Sequence, residues 1–136
     1  MSDKIFFDTN VLVYCYTETE PNKKLVAMGL AQSPDAWVST QVLQELSNTL
    51  RKKFGKDWAE IMLTVEEVRQ NFEIFVNQPE TLQDAIRIAD LYGYSFYDSL
   101  ILSSSLSVGC SILYSEDMQN GQMIDGVLKI INPFLP

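Results

Sequence analysis

The sequence predicts an α/β fold, with a mainly parallel central sheet flanked by helices. Short apolar segments alternate with longer segments whose apolar residues recur at helical spacing. Such alternation favours parallel strands joined by helical crossovers, and ligands then bind beyond the carboxyl ends of the strands. The length of 136 residues suits one domain over residues 1–136.

The first half of the chain predicts two buried strands, each followed by polar residues that can cap a helix. Lys4 to Phe7 forms the first strand, and Asp8 follows it where a helix begins. The second strand, Ala36 to Val38, precedes Ser39 and Thr40, either of which can cap the next helix. Helices are expected over 11–16, from 21 to about 33, from 40 to about 54 and over 57–70.

The second half predicts further strands and two helices. The first helix begins at Pro79, and its residues Leu82, Ala85, Ile86 and Ala89 are expected to face the core. Asp98 can cap a strongly apolar helix from Ser99 to Val108. Strands are expected over 73–76, 110–114 and 128–131, with the polar residues 115–117 directly after the middle one.

The absence of histidine from the sequence narrows the possible chemistry. It excludes Ser-His-Asp hydrolysis, Cys-His proteolysis, paired-histidine ribonucleases and histidine-ligated zinc sites. Cys15 and Cys110 lie in apolar surroundings, so we expect buried thiols and neither a disulfide framework nor a zinc site. A hydrolase of this composition must activate its nucleophile with a carboxylate, a lysine or a metal ion.

The net charge of −8 disfavours a protein that coats nucleic acid, because such affinity comes largely from Lys and Arg. It does not exclude a nuclease, since carboxylates that bind divalent cations count as negative only while the cation is ignored. The sequence also lacks a long apolar span or a signal-like N-terminus. We therefore expect no membrane association and a cytoplasmic location.

Four acidic residues are expected at the same edge of the sheet. Asp8 follows the first strand, and Asp117 follows the strand at 110–114. Asp98 begins the helix that leads into that same strand, and Glu45 lies in the helix after the second strand. Converging carboxylates repel one another unless cations lie between them, and magnesium and manganese prefer oxygen ligands. Taken singly, each acid could instead be a helix cap or a favourable charge in a first helical turn.

Around these acids the sequence resembles a known family. The segments concerned are Ile5-Phe6-Phe7-Asp8-Thr9-Asn10-Val11-Leu12, Gln44-Glu45-Leu46 with Asn48, Ser95-Phe96-Tyr97-Asp98-Ser99-Leu100-Ile101 and Leu113-Tyr114-Ser115-Glu116-Asp117. In order and spacing they resemble the acidic motifs of PIN domains, and most closely those of VapC-type toxins of bacterial toxin–antitoxin pairs. The resemblance covers essentially the whole chain and implies a PIN-like α/β/α sandwich.

The resemblance implies an endoribonuclease that depends on Mg²⁺ or Mn²⁺ and leaves a 3′-hydroxyl and a 5′-phosphate. It also implies a homodimer and a small antitoxin, whose Arg or Lys could enter the acidic site. Glu116 and Asp117 are adjacent, so either could be the fourth acid, and we favour Asp117. The implied metal-binding and catalytic residues are Asp8, Glu45, Asp98 and Asp117, with Thr9, Asn10, Asn48, Ser115 and Glu116 as supporting candidates.

Residues that contact the RNA are harder to identify from the sequence. The densest basic segment contains Arg51, Lys52, Lys53 and Lys56. These residues could steer RNA phosphates, or they could simply form a solvated helix end that complements the helix dipole. Tyr94, Phe96 and Tyr97 could stack on bases, although aromatic residues beside an apolar helix are more often part of a core.

Two other classes of function stay open. One is another acid-cluster enzyme, either a phosphatase with an aspartate nucleophile or a DNA nuclease of related fold. Such phosphatases need a second aspartate two positions after the nucleophile, where this chain has Asn10. The other is a catalytically silent PIN-like scaffold that acts by binding a protein.

Overall fold

The computed structural model describes residues 3–136, and its centre is a six-stranded sheet in the order β3-β2-β1-β4-β6-β5. Every strand pair is parallel except β5 with β6. The predicted mainly parallel sheet is therefore confirmed. The strands are β1 (Ile5–Phe7), β2 (Ala36–Ser39), β3 (Glu73–Phe75), β4 (Ile112–Tyr114), β5 (Met123–Ile124) and β6 (Leu128–Ile131).

Six α-helices in the described part of the chain connect and flank these strands. The expected helix over 11–16 is divided into a short α-helix and a 3₁₀ turn, Val13–Tyr16. Within residues 3–136, no helix combines the length and the apolar character needed to cross a membrane. The helices are α1 (Thr9–Leu12), α2 (Pro21–Leu30), α3 (Thr40–Lys52), α4 (Trp58–Asn71), α5 (Pro79–Tyr92) and α6 (Phe96–Val108).

The core lies around the central strands β1 and β4. Phe6, Phe7 and Leu113 have no exposed surface, as expected for parallel strands covered on both faces. The ring of Phe7 meets the rings of Phe72 and Tyr114 edge to face, with centroids 5.3 Å and 5.5 Å away. This packing fixes the carboxyl end of β1, where the chain turns polar at Asp8.

The prediction that Asp98 caps α6 is wrong. The helix begins three residues earlier than residue 99, and Ser95 is its N-cap, with its side chain accepting a hydrogen bond from the Asp98 backbone N–H. Asp98 thus lies in the first turn, where a carboxylate favours the positive end of the helix dipole. A serine cap leaves the Asp98 carboxylate available for the site.

The predicted inward face of α5 is also wrong at two positions. Leu82 and Ile86 are 41% and 60% exposed, while Thr81, Ala85 and Ile88 are buried. The helix is rotated because it packs on the small side chains of α6, where Ser103 donates a hydrogen bond of 2.8 Å to the Thr81 carbonyl. This contact joins a serine hydroxyl to a backbone carbonyl, and a pattern of apolar residues gives no indication of it.

The sequence predicts no strand between residues 117 and 128, where the structure has β5. It is a two-residue strand that pairs antiparallel with β6, Met123 opposite Lys129 and Ile124 opposite Leu128. The segment is too short to show an alternating pattern, so the pairing depends on the neighbouring strand. It lies at the edge of the sheet beyond β6, away from the strands that precede the acids.

Candidate active site

A cleft of about 820 Å³ is lined by all four of the predicted acids, Asp8, Glu45, Asp98 and Asp117. Asp8 directly follows β1, Asp117 lies in the loop after β4, and the two strands are neighbours. The Asp8 backbone N–H donates to the Tyr114 carbonyl at 2.9 Å, which aligns the ends of these strands. We call this feature the acidic cleft.

Asp8 is the buried acid of the cleft, with 5% of its surface exposed. Its carboxylate accepts hydrogen bonds from the Ser115 hydroxyl at 2.9 Å and from the Thr9 backbone N–H at 2.8 Å. Burial raises its pKa to about 7, and the charges of Asp98 and Glu45 add to this rise while the two hydrogen bonds oppose it. The negatively charged form of Asp8 is therefore disfavoured in the folded protein, and a nearby positive charge would stabilise it.

The Asn10 side-chain amide joins the two acids that follow β1 and β4. Its Nδ2 donates to Asp117 Oδ2 at 3.0 Å and to Asp8 Oδ2 at 3.3 Å. Its Oδ1 accepts from the Glu116 backbone N–H at 3.1 Å. All the hydrogen-bonding groups of this amide thus serve to orient acids or the loop that carries them.

Glu45 lies on α3 and is held by two polar side chains. Thr9 Oγ1 donates to Glu45 Oε1 at 2.6 Å, and Gln41 Nε2 donates to Glu45 Oε2 at 3.3 Å. The same Gln41 nitrogen donates to the Tyr97 carbonyl at 3.1 Å, so it connects α3 to the start of α6. Gln41 is not among the residues predicted from the sequence, although its position four residues before Glu45 places both on one helical face.

Asp98 is partly buried in the first turn of α6. Partial burial raises its pKa, and the charges of Asp117 and Glu45 raise it further, against the effect of a hydrogen bond with Ser95. The mutual repulsion shows that Asp98 shares one electrostatic environment with the other three acids. Their negative charges reinforce one another across the cleft.

Glu116, the alternative fourth acid, also lines the cleft but is directed towards α2. Its carboxylate accepts from Tyr14 Oη at 2.6 Å and from Lys23 Nζ at 2.5 Å. Partial burial raises the pKa of Glu116, but these two hydrogen bonds outweigh that effect and lower it. Glu116 is therefore paired with Lys23, while the adjacent Asp117 accepts a hydrogen bond from Asn10 in the acidic cleft.

The four basic residues considered as RNA contacts have different surroundings. Lys53 lines the acidic cleft, as do the predicted supporting residue Asn48 and its neighbour Thr49. Arg51 stacks on the Trp58 ring at 5.0 Å and donates to the Lys56 carbonyl at 3.1 Å. Lys52 is exposed on α3, and Lys56 Nζ lies 4.0 Å from a Glu60 oxygen.

The three aromatic residues near α6 also differ from one another. Tyr94 Oη donates to Gln122 Oε1 at 2.5 Å and accepts from the Gln119 backbone N–H, so it supports a loop. Phe96 and Tyr97 are 38% and 65% exposed. Their rings meet edge to face with centroids 5.4 Å apart, so neither forms part of the core.

The donors of the acidic cleft fit a divalent metal ion in chemistry. They are carboxylate oxygens, which magnesium and manganese prefer, and histidine and cysteine are absent from the lining. Within residues 3–136, however, no three acidic or cysteine side chains are already grouped closely enough to hold one ion. Glu45 accepts a hydrogen bond from Thr9 and Asp117 accepts one from Asn10, so these carboxylates would have to move closer to the other acids to bind the same ion.

Comparison with solved structures gives close likenesses of fold at low sequence identity. A toxin–antitoxin complex from Klebsiella pneumoniae has a TM-score of 0.73 and 17% identity, over 96% of this chain and 98% of the other. The Mycobacterium tuberculosis toxin VapC20, described as cleaving the sarcin-ricin loop, has a TM-score of 0.69 and 19% identity, over 84% and 90%. Rickettsia felis VapBC2, bound to promoter DNA, has a TM-score of 0.67 and 16% identity, over 94% and 98%.

Comparison of the sequence with curated proteins gives no match. The model of the PIN domain family, in contrast, matches residues 5–119. That span begins at β1 and ends two residues after Asp117, so it contains all four acids of the cleft. The fold and the order of the acids agree with this match, and the chain belongs to the PIN domain family.

Proposed function

We propose that the protein is a metal-dependent endoribonuclease that acts as the toxin of a toxin–antitoxin pair. The observation that carries the proposal is the convergence of Asp8, Glu45, Asp98 and Asp117 on one cleft. Family membership supports a nuclease that depends on a divalent metal. Support for RNA as the substrate and for a toxin role comes from structures of similar fold, one of which is described as a toxin that cleaves the sarcin-ricin loop.

In this proposal the four acids hold Mg²⁺ or Mn²⁺. When bound, the ion would supply Lewis acidity and lower the pKa of water, as hydrolysis of a phosphodiester requires. The proposed products carry a 5′-phosphate and a 3′-hydroxyl. Ser115 and Thr9 keep the Asp8 carboxylate oriented, and Asn10 does the same for Asp117. Gln41 fixes Glu45 relative to the Asp98 helix.

The protein partner in this proposal is a small antitoxin. Several structures of similar fold are toxin–antitoxin complexes, and the excess of carboxylates in the cleft suits an Arg or Lys from such a partner. A guanidinium binds carboxylates bidentately and would compete with the metal ion. A homodimer and a cytoplasmic location belong to the same proposal.

Lys53 is the residue we assign to an RNA phosphate. It is the cationic side chain of the cleft lining within the part of the chain that the structure describes. Lys53→Ala should raise KM for RNA several-fold, because it removes one phosphate contact. The value of kcat should change little, because Lys53 is not among the four acids.

The matched control for Lys53 is Lys52→Ala, which removes the same charge from an exposed position of α3. We would measure kcat and KM for both variants at several salt concentrations. The salt dependence of KM should weaken for Lys53→Ala alone. Equal effects of the two substitutions would indicate general charge attraction and would contradict a specific contact.

The class of substrate is tested with one nucleotide sequence prepared as RNA, as single-stranded DNA and as duplex DNA. Manganese-dependent internal cleavage of the RNA alone is the expected result. Preferential cleavage of DNA would favour the DNA nuclease alternative. Absence of cleavage of all three would favour a silent scaffold, whereas a small antitoxin encoded next to this protein would favour the toxin.

A further inference from the structure

Lys23, near the start of α2, lies between one carboxylate and two aromatic rings. Its Nζ lies 2.5 Å from Glu116 Oε2. The same nitrogen lies 5.2 Å from the ring centroid of Tyr14 and 5.4 Å from that of Phe134. Those two rings meet edge to face with centroids 5.2 Å apart, so the ammonium group is fixed by a defined aromatic pair.

The Glu116 carboxylate, held by Lys23, belongs to the loop that carries Asp117. Tyr14 Oη donates to its second oxygen at 2.6 Å, so both carboxylate oxygens are engaged. The backbone N–H of Glu116 donates to Asn10 Oδ1 at 3.1 Å. The Asn10 amide in turn donates to Asp117 at 3.0 Å. A continuous chain of polar contacts thus leads from α2 to an acid of the cleft.

The two adjacent acids need opposite orientations. Glu116 and Asp117 are neighbours in the sequence, and two carboxylates beside one acidic cleft repel each other and the other acids. The positive charge of Lys23 draws the Glu116 carboxylate towards α2. The backbone at 116 is then held by Asn10, and the Asp117 side chain is presented to the cleft.

We propose that Lys23 is a positioning residue for the metal site, acting through Glu116 and Asn10 to fix Asp117 in the acidic cleft. This inference rests on the proposed function, because it takes Asp117 to be a metal ligand. Lys23 itself is not part of the cleft lining within the described residues. Its effect is therefore on the ligand geometry and not on the RNA.

A second ion pair on the same helix provides a matched control. Lys24, the next residue, pairs with Glu18, whose side chain is 83% exposed. Because Glu18 is so exposed, this ion pair should contribute little. Glu116, in contrast, has a side chain that is 22% exposed and lies next to Asp117. Substitution at 23 and at 24 separates a positioning effect from the loss of one lysine charge.

The experiment compares Lys23→Met, Lys23→Arg, Lys24→Met and the unmodified protein. For Lys23→Met, the Mn²⁺ concentration giving half-maximal RNA cleavage should rise about tenfold. Losing a residue that orients metal ligands typically lowers metal affinity about 10–100-fold, and tenfold is the lower end of that range. KM for RNA at saturating Mn²⁺ should stay unchanged. Lys23→Arg should restore most of the metal response because it keeps the charge, and Lys24→Met should behave like the unmodified protein.

A double substitution tests whether Lys23 acts through Glu116. If it does, Lys23→Met with Glu116→Gln should raise the Mn²⁺ requirement no further than Lys23→Met alone. Additive effects would overturn the proposed path. An unchanged Mn²⁺ requirement in Lys23→Met, or an equal rise in Lys24→Met, would overturn the positioning role itself.

Calorimetric titration of Mn²⁺ into the same variants provides a readout that does not depend on cleavage. About tenfold weaker binding to Lys23→Met than to Lys24→Met is the expected result. This measurement keeps the inference testable if the protein fails to cleave RNA, which would contradict the proposed function alone. Equal Mn²⁺ affinity in the two variants, or no Mn²⁺ binding by the unmodified protein, would overturn the positioning role.

Discussion

Asp98→Asn should lower kcat for RNA cleavage by more than about a hundredfold, because partners that only orient metal ligands already contribute about 10–100-fold. The substitution removes one negative charge without changing side-chain size. The cap of α6 should survive, since the Ser95 side chain accepts from the Asp98 backbone N–H. The melting temperature should therefore stay within a few degrees of that of the unmodified protein.

Asp90→Asn is the matched control for Asp98→Asn. Asp90 is an exposed residue of α5 outside the cleft lining, and its substitution makes the same change of net charge. Cleavage rates are measured for both variants at saturating Mn²⁺, with melting curves recorded in parallel. Near-normal cleavage by folded Asp98→Asn would show that the acidic cleft is not the catalytic site.

The stability of the metal-free protein should fall as pH rises from about 4 to 7, because of Asp8. Burial raises the pKa of Asp8 to about 7 in the folded protein, while the unfolded value is about 3.9. Between these values the folded state binds the proton that the unfolded state has lost. The contribution to the free energy of unfolding therefore decreases by up to about 1.4 kcal/mol per pH unit.

Asp8→Asn should remove much of this pH dependence, because the amide stays neutral. The Ser115 hydroxyl, which donates to Asp8, can turn to accept from the new amide. At pH 8 the metal-free variant should be at least as stable as the unmodified protein. The comparison is made by urea unfolding of both proteins from pH 4 to 8 in the presence of a chelator. Parallel pH profiles would contradict a raised pKa of Asp8 in the folded protein.

Divalent metal should reverse the instability of the unmodified protein at pH 8. An ion that binds only the folded state adds about 1.4 kcal/mol to the free energy of unfolding at ten times its dissociation constant. Asp8→Asn should gain much less, because it lacks one of the acids of the site. Urea unfolding with and without millimolar Mn²⁺ measures this difference. An equal increase in the free energy of unfolding of both proteins would show that the metal binds outside the acidic cleft.

The sequence predicts every strand of the sheet except β5, because each of those strands has a local signal. The segments 5–7, 36–38 and 112–114 are short, apolar and bounded by polar residues, and all three lie in strands. The face of α5 could not be predicted in the same way. It is decided by the fit to serine side chains of α6, which is a tertiary contact and not a periodic pattern.

The acids of the cleft could be chosen from the sequence because Asp8 and Asp117 follow strands that are neighbours in a parallel sheet. Their catalytic role stays a prediction. The residues that hold them were harder to find, since Lys23 and Glu116 are 93 positions apart in the chain. Contacts over such distances leave no local signal, whereas Gln41 and Glu45 are close enough in α3 for helical spacing to indicate them.

The measurement that tests the central claim most directly is cleavage of a structured RNA by purified protein with Mn²⁺ and with EDTA, followed by analysis of the product ends. An Asp98→Asn preparation purified in the same way reveals any contaminating nuclease. The account predicts cuts that need Mn²⁺, that disappear with EDTA and in the variant, and that leave 5′-phosphate and 3′-hydroxyl ends. Cleavage that persists in EDTA, or that leaves a 2′,3′-cyclic phosphate, would contradict a metal-dependent acid site.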